Sequence, residues 1–456
     1  MYSCSLECTH DLPGVAAALP ERYPFLLDSA APGPLGRHSL LLRTNGEQLC
    51  LQSSDASYGT GEAAGFLSRL NDWFLREKRS PTEQTEWPFS GGWFLYLGYE
   101  LAAEIEPVVN FPAARDGLPV AFASRCPAAV YACPDQPGKL QLVAETADLL
   151  NEMRDELGNL RSVPAEEFAE LTGLLPDSPQ LFKNAVEQIH EYILDGDVFQ
   201  VNLSRGWRGE FDRTVNYDAL YQSLRKNNPA PFAGMLRWKD YVLMSSSPER
   251  LVHIRGDQVQ SRPIAGTRPR GADRQADQAL SRELLAHPKE RAEHIMLIDL
   301  ERNDLGRVCE TGTVEVDELM VVETYEHVHH IVSNVRGRLR SEVTPIDVIR
   351  AVFPGGTITG CPKVRCMEII AELEQQGRSF YTGSFGYLGL DGSMDLNILI
   401  RSMLLHDKQI SFRTGAGIVA DSEPDSELAE TEDKARGLLK ALDSKTLRTT
   451  SCSNVS

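Results

Sequence analysis

Short apolar runs separated by turn residues fill the chain from Phe25 to about Ala147, and such runs predict β-strands. The clearest of them are residues 39–42, 92–99 and 140–143. Residues 66–75 differ, because their apolar positions recur at helical spacing and predict a helix. We therefore expect the first third of the chain to be mostly β-sheet with one inserted helix.

The rest of the chain mixes longer helical patterns with grouped strands. Helices are predicted at 181–194, 273–299 and 426–442, and strands at 198–204, 385–390, 394–404 and 409–413. Strands and helices occur in groups instead of alternating strictly, which favours antiparallel sheets over a doubly wound fold. The pattern predicts an α+β fold with a large antiparallel β-sandwich core flanked by helices.

A change of composition divides the chain. Residues 149–173 are charged and helix-prone, and the Leu-Leu-Pro-Asp-Ser-Pro stretch at 174–179 has the composition of a linker. We therefore predict an N-terminal region at 1–175 and a second region at 180–443. Residues 444–456 are polar and are expected to form a flexible tail.

Composition excludes several classes of function. The chain has 456 residues, of which 42% are hydrophobic, enough for a large core. Its formal charge of -19 argues against nucleic acid or an anionic membrane as the main ligand. No leader-like N-terminus or membrane-spanning apolar run is seen, and the nine cysteines lack zinc-type Cys-x2-Cys spacing. We expect a cytoplasmic protein with reduced thiols.

Two acidic helical stretches carry the first candidate chemistry. Glu290 with Glu293, and Glu427 with Glu430, are each three residues apart and therefore share a helix face. Two carboxylate pairs meeting at one point would offer the hard oxygen ligands that suit Mg²⁺. By spacing alone, a solvated acidic helix face is the commoner interpretation.

Other candidates lie at strand ends and in turns. Glu249 follows a predicted strand, where it is either a turn residue or a general acid aimed into a cleft. The loop at 262–271 could grip an anion through its backbone and Thr267, or be a solvated basic loop. The glycine-rich loop at 353–365 lacks the Gly-Lys-Ser/Thr ending of a nucleotide P-loop, so ATP binding is rejected.

The last third adds two features that suit a ligand. Gly415 and Gly417 end a predicted strand and allow close approach of the backbone to a ligand. Arg401 is expected within the strand at 394–404, on the face opposite Ile398 and Ile400. An inward arginine there would need a carboxylate partner.

Taken in order, these motifs resemble the chorismate-binding enzyme family. The resemblance is carried by residues 196–204, 247–250, 263–267, 293–304, 359–368, 415–419 and 430–434. It is strong over about 180–443 and looser in the N-terminal half, where residues 26–29 and 91–100 carry it. It implies a fold like that of anthranilate synthase component I, with chorismate as the substrate.

The resemblance also implies roles for single residues. Glu293 and Glu430 would bind Mg²⁺ directly, with Glu290 and Glu427 holding its waters. Glu249 would be the general acid that helps the hydroxyl on carbon 4 leave, with His330 beside the ring. The substrate-binding set would be Gly266, Thr267, Tyr387, Arg401, Gly415, Ala416, Gly417 and Lys434.

The nucleophile separates the activities within the family. Members that add water carry a lysine where this chain has Gln200, so Gln200 indicates ammonia. By resemblance, residues 91–93, 200–203, 328–330 and 353–356 favour aminodeoxychorismate synthase component I, which serves p-aminobenzoate and folate synthesis. Ala265 stands where many such enzymes have a nucleophilic lysine, and it favours the alternative, anthranilate synthase component I. A non-catalytic chorismate- or tryptophan-binding subunit is a third interpretation.

Two partners follow from the resemblance. The chain has no evident Cys-His-Glu glutaminase segment, so a separate glutamine amidotransferase subunit would supply ammonia. The Leu-Leu-Asp-Ser stretch at 26–29 resembles the Leu-Leu-Glu-Ser tryptophan-site motif of anthranilate synthases. It is either part of a tryptophan site or an ordinary buried strand.

Overall fold

The computed structural model describes residues 1–8, 10–31, 38–53, 65–80, 87–132, 138–160, 169–271, 273–325 and 328–443. Within these ranges, the side chains of Thr267, Pro269, Lys289 and Val328 are outside the description. The tail predicted at 444–456 also lies outside the described residues.

Helices and strands are intermingled along the described chain. The helices are α1 (Leu12–Ala18), α2 (Phe66–Glu77), α3 (Ala102–Ile105), α4 (Ala147–Gly158), α5 (Pro179–Leu194), α6 (Tyr217–Asn227), α7 (Arg274–Ala286), α8 (Pro288–Gly306), α9 (Pro345–Val352), α10 (Lys363–Glu374) and α11 (Pro424–Leu442). Short 3-10 helices occur at Tyr99–Leu101 and Gly356–Ile358.

The strands are β1 (Tyr2–Glu7), β2 (Phe25–Asp28), β3 (Ser39–Arg43), β4 (Gln48–Leu51), β5 (Gly92–Leu97), β6 (Ala121–Cys126), β7 (Ala128–Ala132), β8 (Lys139–Ala144), β9 (Leu171–Pro176), β10 (Gln200–Phe211) and β11 (Phe232–Trp238). They continue as β12 (Tyr241–Ser247), β13 (Arg250–Arg255), β14 (Gln258–Ser261), β15 (Ile264–Pro269), β16 (Glu315–Thr324), β17 (Val328–Arg338), β18 (Gly360–Cys361), β19 (Ser384–Gly389), β20 (Met394–Asn397), β21 (Ser402–His406) and β22 (Gln409–Ile418).

Two antiparallel sheets form the centre of the fold. A 12-stranded sheet runs β1-β8-β7-β3-β2-β11-β12-β21-β22-β10-β18, with β9 also paired to β10. A 10-stranded sheet runs β15-β17-β14-β13-β20-β19-β5-β6-β4, with β16 paired to β17. Both sheets contain strands from either side of residues 175–180. The boundary between regions 1–175 and 180–443 therefore stays a prediction, and neither region has a sheet of its own.

Aromatic and aliphatic side chains fill the space between the sheets. Phe25 of the first sheet stacks on Phe94 of the second, with ring centroids 4.1 Å apart, and Leu243 and Phe385 join the same buried cluster. Helices cover the outer faces, α4, α6 and α11 on the larger sheet and α2 and α9 on the smaller one. The predicted α+β fold, an antiparallel sandwich flanked by helices, is confirmed.

Many predicted elements correspond to observed ones, and two differ for physical reasons. The helices predicted within 273–299 are observed as α7 and α8, and Pro288 starts α8 because proline suits a first helical turn. The stretch predicted as a linker at 174–179 contains the end of β9, which pairs with β10. The predicted strand 394–404 breaks where the chain passes from β20 in one sheet to β21 in the other.

In the described part of the chain, no helix is both long enough and apolar enough to span a lipid bilayer.

Candidate active site

Glu249 lies in the short connection between β12 and β13, enclosed by the fold. It is 6% exposed, and the Thr357 hydroxyl donates to its Oε1 at 2.7 Å. Its backbone N–H donates to the Ser247 hydroxyl at 3.2 Å, which fixes the turn. Burial raises the pKa of Glu249 to about 7. The side chain can therefore hold a proton near neutral pH, which a general acid requires.

Two cations act on Glu249 from different elements. Arg401 stands at the crossover from β20 to β21 with a φ of 50°, so strand alternation does not set its direction as predicted. Burial lowers the pKa of Arg401, and the charge of Glu249 opposes that effect. Lys434 of α11 donates from Nζ to the Gly415 carbonyl oxygen at 2.9 Å and pairs with Glu430 at 2.7 Å. Positive charge from both residues favours the ionised form of Glu249.

The end of β22 that contains Gly415 and Gly417 lies next to Lys434, and at these two positions no side chain covers the backbone. Among the described strands, β21 pairs with β22 only as far as Phe412, so the edge beyond it is open. A Cβ on Gly417 would lie 2.3 Å from Gln200 Nε2, and one on Gly415 would lie 2.7 Å from the Tyr381 hydroxyl. Larger residues would collide with both side chains. Gly415 and Gly417 pair with Ser204 and Asn202, whose N–H groups bond elsewhere, so the N–H groups of both glycines face away from β10 and can bind an anion. Ala416 pairs with Leu203 within the ladder.

Four glutamates, which we call the outer carboxylates, come from α8 (Glu290 and Glu293) and α11 (Glu427 and Glu430). The contacts of Glu293 define their arrangement. Its Oε1 accepts a 2.8 Å hydrogen bond from Gln200 Nε2. Burial raises the pKa of Glu293, and the negative charges of Glu290 and Glu430 add to the rise. Glu290 pairs with Arg268 at 3.2 Å, while Glu427 is buried in the first turn of α11. The structure therefore brings the two acidic helices together.

These carboxylates fit a Mg²⁺ ion in their chemistry. Hard carboxylate oxygens are its preferred protein ligands, and Mg²⁺ keeps several waters, so few protein ligands are needed. The mutual repulsion at Glu293 is the kind that a divalent cation relieves. Across the described ranges, no group of three or more His, Cys, Asp or Glu side chains is gathered closely enough to ligate a metal. The carboxylate groups that a Mg²⁺ site needs are thus present, but they lie farther apart than the ligands of a bound metal ion would.

His330 of β17 lies opposite Thr267 of β15 in the sheet register. It is buried, and burial followed by the charge of Arg401 lowers its pKa to about 3. The imidazole is therefore neutral at physiological pH and interacts with the backbone of Gly266. Gly266 has a φ of 69°, and a Cβ there would lie 2.6 Å from Glu290 Oε2. The Thr267 side chain is outside the described residues, so its predicted contact stays a prediction.

Tyr387 is not where the sequence analysis predicted it. Its ring lines a cavity of about 200 Å³, whose described lining includes none of Arg401, Lys434 or Gly415. The side chain packs against Phe89, with ring centroids 5.4 Å apart. Phe385 and Tyr387 are two positions apart on β19, and both side chains pack into the buried cluster between the sheets, which sets the direction of the Tyr387 ring. Tyr381, six positions earlier, places its hydroxyl beside Gly415 instead.

Sequence reasoning missed two hydroxyl groups in this site. Thr357 lies in the glycine-rich loop at 353–365, where sequence reasoning assigned it no role of its own, and its hydroxyl donates to Glu249. Tyr381 precedes β19 in a turn tied down by Arg378, whose guanidinium pairs with Glu374 at 2.7 Å. A hydroxyl inside the 353–365 loop was a usable signal for Thr357, whereas nothing local distinguished Tyr381 from Tyr387.

The cavity lined by Tyr387 also borders the Leu-Leu-Asp-Ser stretch. Leu27, Asp28 and Ser29 line it together with Tyr387. The Asp28 carboxylate is already engaged, because Arg225 pairs with it at 2.9 Å and the Tyr221 and Ser39 hydroxyls donate to it. The stretch is therefore both a buried strand and part of a cavity wall.

The chain is similar in sequence to known proteins. A family model described as chorismate binding enzyme matches residues 38–440. Aminodeoxychorismate synthase component 1 of Bacillus subtilis is 42% identical over 395 residues, covering 83% of this chain and 82% of that protein. A Synechocystis protein described as anthranilate synthase component I-like is 45% identical over 359 residues, covering 78% of this chain and 73% of that protein.

Solved structures point the same way. The crystal structure of anthranilate synthase component I from Streptococcus pneumoniae matches with a TM-score of 0.76 and 31% sequence identity. The match covers 88% of this chain and 91% of that chain.

Proposed function

The chain belongs to the chorismate-binding enzyme family, and from that premise we propose that it aminates chorismate with ammonia in a Mg²⁺-dependent reaction to give 4-amino-4-deoxychorismate. The observation that carries amination is Gln200. Its side chain donates to Glu293 at the outer carboxylates and supplies an amide where activation of water would need a base. Such a product would serve p-aminobenzoate and folate synthesis in the cytoplasm.

Substrate binding follows from charge. Chorismate is a dianion, and an acidic protein must neutralise it locally. Arg401, the Tyr381 hydroxyl and the backbone N–H groups of Gly415 and Gly417 would hold the enolpyruvyl carboxylate. Lys434 would lie near the ring carboxylate, since its Nζ already reaches the Gly415 carbonyl oxygen at 2.9 Å. Charged and oriented donors of this kind fix both the position and the direction of the ring.

The carboxyl groups divide the remaining work. Glu249 would give its proton to the hydroxyl on carbon 4, which leaves as water. Glu293 and Glu430 would bind Mg²⁺ directly, and Glu290 and Glu427 would hold its waters. When bound, Mg²⁺ on the ring carboxylate withdraws electrons from the ring and favours nucleophilic attack. The buried neutral His330 would lie beside the ring without adding a charge.

The first nucleophile at carbon 2 cannot be a lysine of this loop. Ala265 is buried in β15 opposite Ile331 and has no nucleophilic atom. Water or ammonia itself would have to add first and depart as ammonia attacks carbon 4. Overall, chorismate and ammonia would give the amino product and water.

Anthranilate synthesis is the second candidate. Ala265 favours it, and so does the cavity formed by Leu27, Asp28 and Ser29, which offers a place for a regulatory tryptophan. In that reaction ammonia adds at carbon 2, water leaves, and the ring aromatises with release of pyruvate. In both candidates a separate glutamine amidotransferase subunit would supply the ammonia.

Product identification tests the proposal. The purified chain is incubated with chorismate, Mg²⁺ and nitrogen-15 ammonium at alkaline pH, and the products are analysed by mass spectrometry and fluorescence. We expect a labelled product that keeps its enolpyruvyl group. Labelled anthranilate with free pyruvate would establish the second candidate, and binding of chorismate without turnover would leave a non-catalytic subunit.

A further inference from the structure

A buried ion pair joins the end of α10 to the turn that carries Tyr381. The side chains of Glu374 and Arg378 are each 1% exposed. The guanidinium donates from Nη2 to Glu374 Oε1 at 2.7 Å and from Nε to Glu374 Oε2 at 3.1 Å. Its central carbon also lies 5.6 Å from the centroid of the Tyr381 ring. Because the fork binds both carboxylate oxygens, the direction of the guanidinium is fixed.

The same guanidinium binds three further groups of the fold. Nη2 donates to the Asn202 carbonyl oxygen of β10 at 2.7 Å. Nη1 donates to the Ile358 carbonyl oxygen at 3.1 Å and to the Thr382 hydroxyl at 3.3 Å. Ile358 directly follows Thr357, whose hydroxyl donates to Glu249 at 2.7 Å. One side chain therefore connects β10, the turn that holds Glu249 and the turn that precedes β19.

The ion pair also completes an edge of β10. Among the described strands, β18 pairs with the start of this edge and β9 with its last part, which leaves a gap between them. In that gap Arg378 binds the Asn202 carbonyl oxygen, and Glu374 accepts from the Ser204 backbone N–H at 2.9 Å. The pair thus supplies hydrogen bonds that a neighbouring strand would otherwise make for the strand of Gln200.

Charge alone does not explain Arg378. Arg413 of β22 donates to Glu374 Oε2 at 2.9 Å, so two buried arginines share one carboxylate. If Arg378 were absent, Arg413 would still compensate the charge of Glu374. What Arg378 adds is its fork of donors, because it binds the carboxylate and two backbone carbonyl oxygens in one fixed geometry.

We propose that Arg378 is a positioning residue that fixes the turn holding Glu249 relative to the turn that places the Tyr381 hydroxyl beside Gly415. The inference rests on the proposed function, in which Glu249 is the acid and Tyr381 binds the enolpyruvyl carboxylate. A substrate that must meet both groups at once loses orientation when the two turns shift relative to each other.

Arg378→Lys tests this geometry while keeping the charge. The ammonium group is a single point and cannot bind the carboxylate and both carbonyl oxygens together. We expect kcat for the amination of chorismate to fall by about tenfold or more. The alkaline limb of the pH profile, expressed per free ammonia, should move upward, because a displaced Thr357 hydroxyl stabilises ionised Glu249 less.

Arg125→Lys is the matched control. Arg125 is another buried arginine, and it pairs with Glu77 and Glu145, donates to the Gly92 carbonyl oxygen and lies over the Trp93 ring. These partners all lie outside the candidate active site. Arg125→Lys should lower the midpoint of thermal unfolding but leave kcat and the alkaline limb of the folded protein unchanged. A merely structural Arg378 would behave in the same way.

Two double-mutant cycles test the connection itself. The first measures chorismate binding by calorimetry, with Mg²⁺ and without ammonia, for Tyr381→Phe with and without Arg378→Lys. The second measures kcat for Thr357→Val with and without Arg378→Lys. We expect Tyr381→Phe and Thr357→Val to lose most of their effect once position 378 is lysine, and to keep it in combination with Arg125→Lys.

The outcomes separate this inference from the proposed function. Additive effects in either cycle, or a folded Arg378→Lys that behaves like Arg125→Lys, overturn the inference even if chorismate is aminated. If Arg378→Lys does not fold, Arg378→Gln replaces it, because an amide can still donate to one carbonyl oxygen. Non-additive effects in both cycles with anthranilate as the product overturn the proposed function and support the positioning role of Arg378.

Discussion

The charge of Lys434 acts both on Glu249 and on Glu293 of the outer carboxylates, yet Glu249 and the outer carboxylates differ in what surrounds them. Glu249 is 6% exposed and, within the described residues, holds one side-chain hydrogen bond, from Thr357, and no ion pair. Two of the outer carboxylates, Glu290 and Glu430, are more open, and each is paired with a cation. The Glu430 side chain is 47% exposed beside Lys434, and Glu290 pairs with Arg268.

The difference shows that the surroundings of a glutamate, and not its residue type, determine whether it donates a proton or binds a cation. Burial with little compensation keeps a proton on a carboxyl group, which makes it a donor. Partial exposure beside other carboxylates keeps negative charge together, which makes a cation site. Exchanging or removing members of each set should therefore have separate consequences.

The largest effect is expected from Glu249→Gln. The amide cannot deliver a proton to the departing hydroxyl, so kcat should fall by about 10²–10⁴-fold, the usual worth of a general acid. Steady-state amination of chorismate measures it. A loss below about tenfold would show that another group donates the proton.

Glu293→Ala removes one of the two proposed direct Mg²⁺ ligands from the outer carboxylates. We expect activity to fall by about 10²-fold at any Mg²⁺ concentration, because a direct ligand is removed. Titration of activity with Mg²⁺ measures this. Asp433→Asn is the control, because Asp433 lies on the exposed side of α11, the helix that carries Glu427 and Glu430. Wild-type Mg²⁺ dependence in Glu293→Ala would remove the metal assignment.

The free energy of unfolding should depend on the charge of Glu249 even when no substrate is present. The pKa of Glu249 is raised from 4.5 to about 7 in the folded chain, so the folded state binds this proton more tightly than the unfolded state does. Its contribution is therefore neutral below the unfolded value, becomes destabilising as pH rises toward 7, and stays so above it. Glu249→Gln should be more stable than wild type by about 1–3 kcal/mol near pH 8 and by little near pH 4. Thermal unfolding at the two pH values checks this, and an equal difference at both would contradict it.

The smallest effect is expected from Thr357→Val. The threonine hydroxyl favours the ionised form of Glu249, so its removal should move the alkaline limb of the pH profile upward. The accompanying loss of kcat should be only about severalfold, through poorer orientation. A downward shift would mean that the hydroxyl stabilises the protonated acid instead.

Much of this site followed from sequence because its information is local. Helical spacing put Glu290 with Glu293 on one face, and Glu427 with Glu430 on another, before any fold was known. The position of Glu249 at a strand exit was likewise readable from the apolar run before it. The glycines of β22 indicated close approach of the backbone to a ligand, which stays a prediction, and the structure places Gln200 and Tyr381 against them.

What sequence could not give depends on long-range contacts. The break between β20 and β21 is set by pairing with two different sheets, so alternation predicted the wrong setting for Arg401. The turn that presents Tyr381 is held by backbone donors of Arg378 and Ser379 on the Glu100 carboxylate, 278 and 279 positions away. No local pattern reports a contact at that distance.

The most direct test of this division is calorimetric titration of chorismate, with Mg²⁺ and without ammonia, into the wild type, Glu249→Gln and Glu293→Ala. Without the nucleophile, binding is measured apart from turnover. The account predicts that Glu249→Gln binds within about threefold of wild type, while Glu293→Ala binds at least about tenfold more weakly and no longer responds to Mg²⁺. Equal loss of binding in both variants would contradict it, because the inner and outer carboxylates would then share one role.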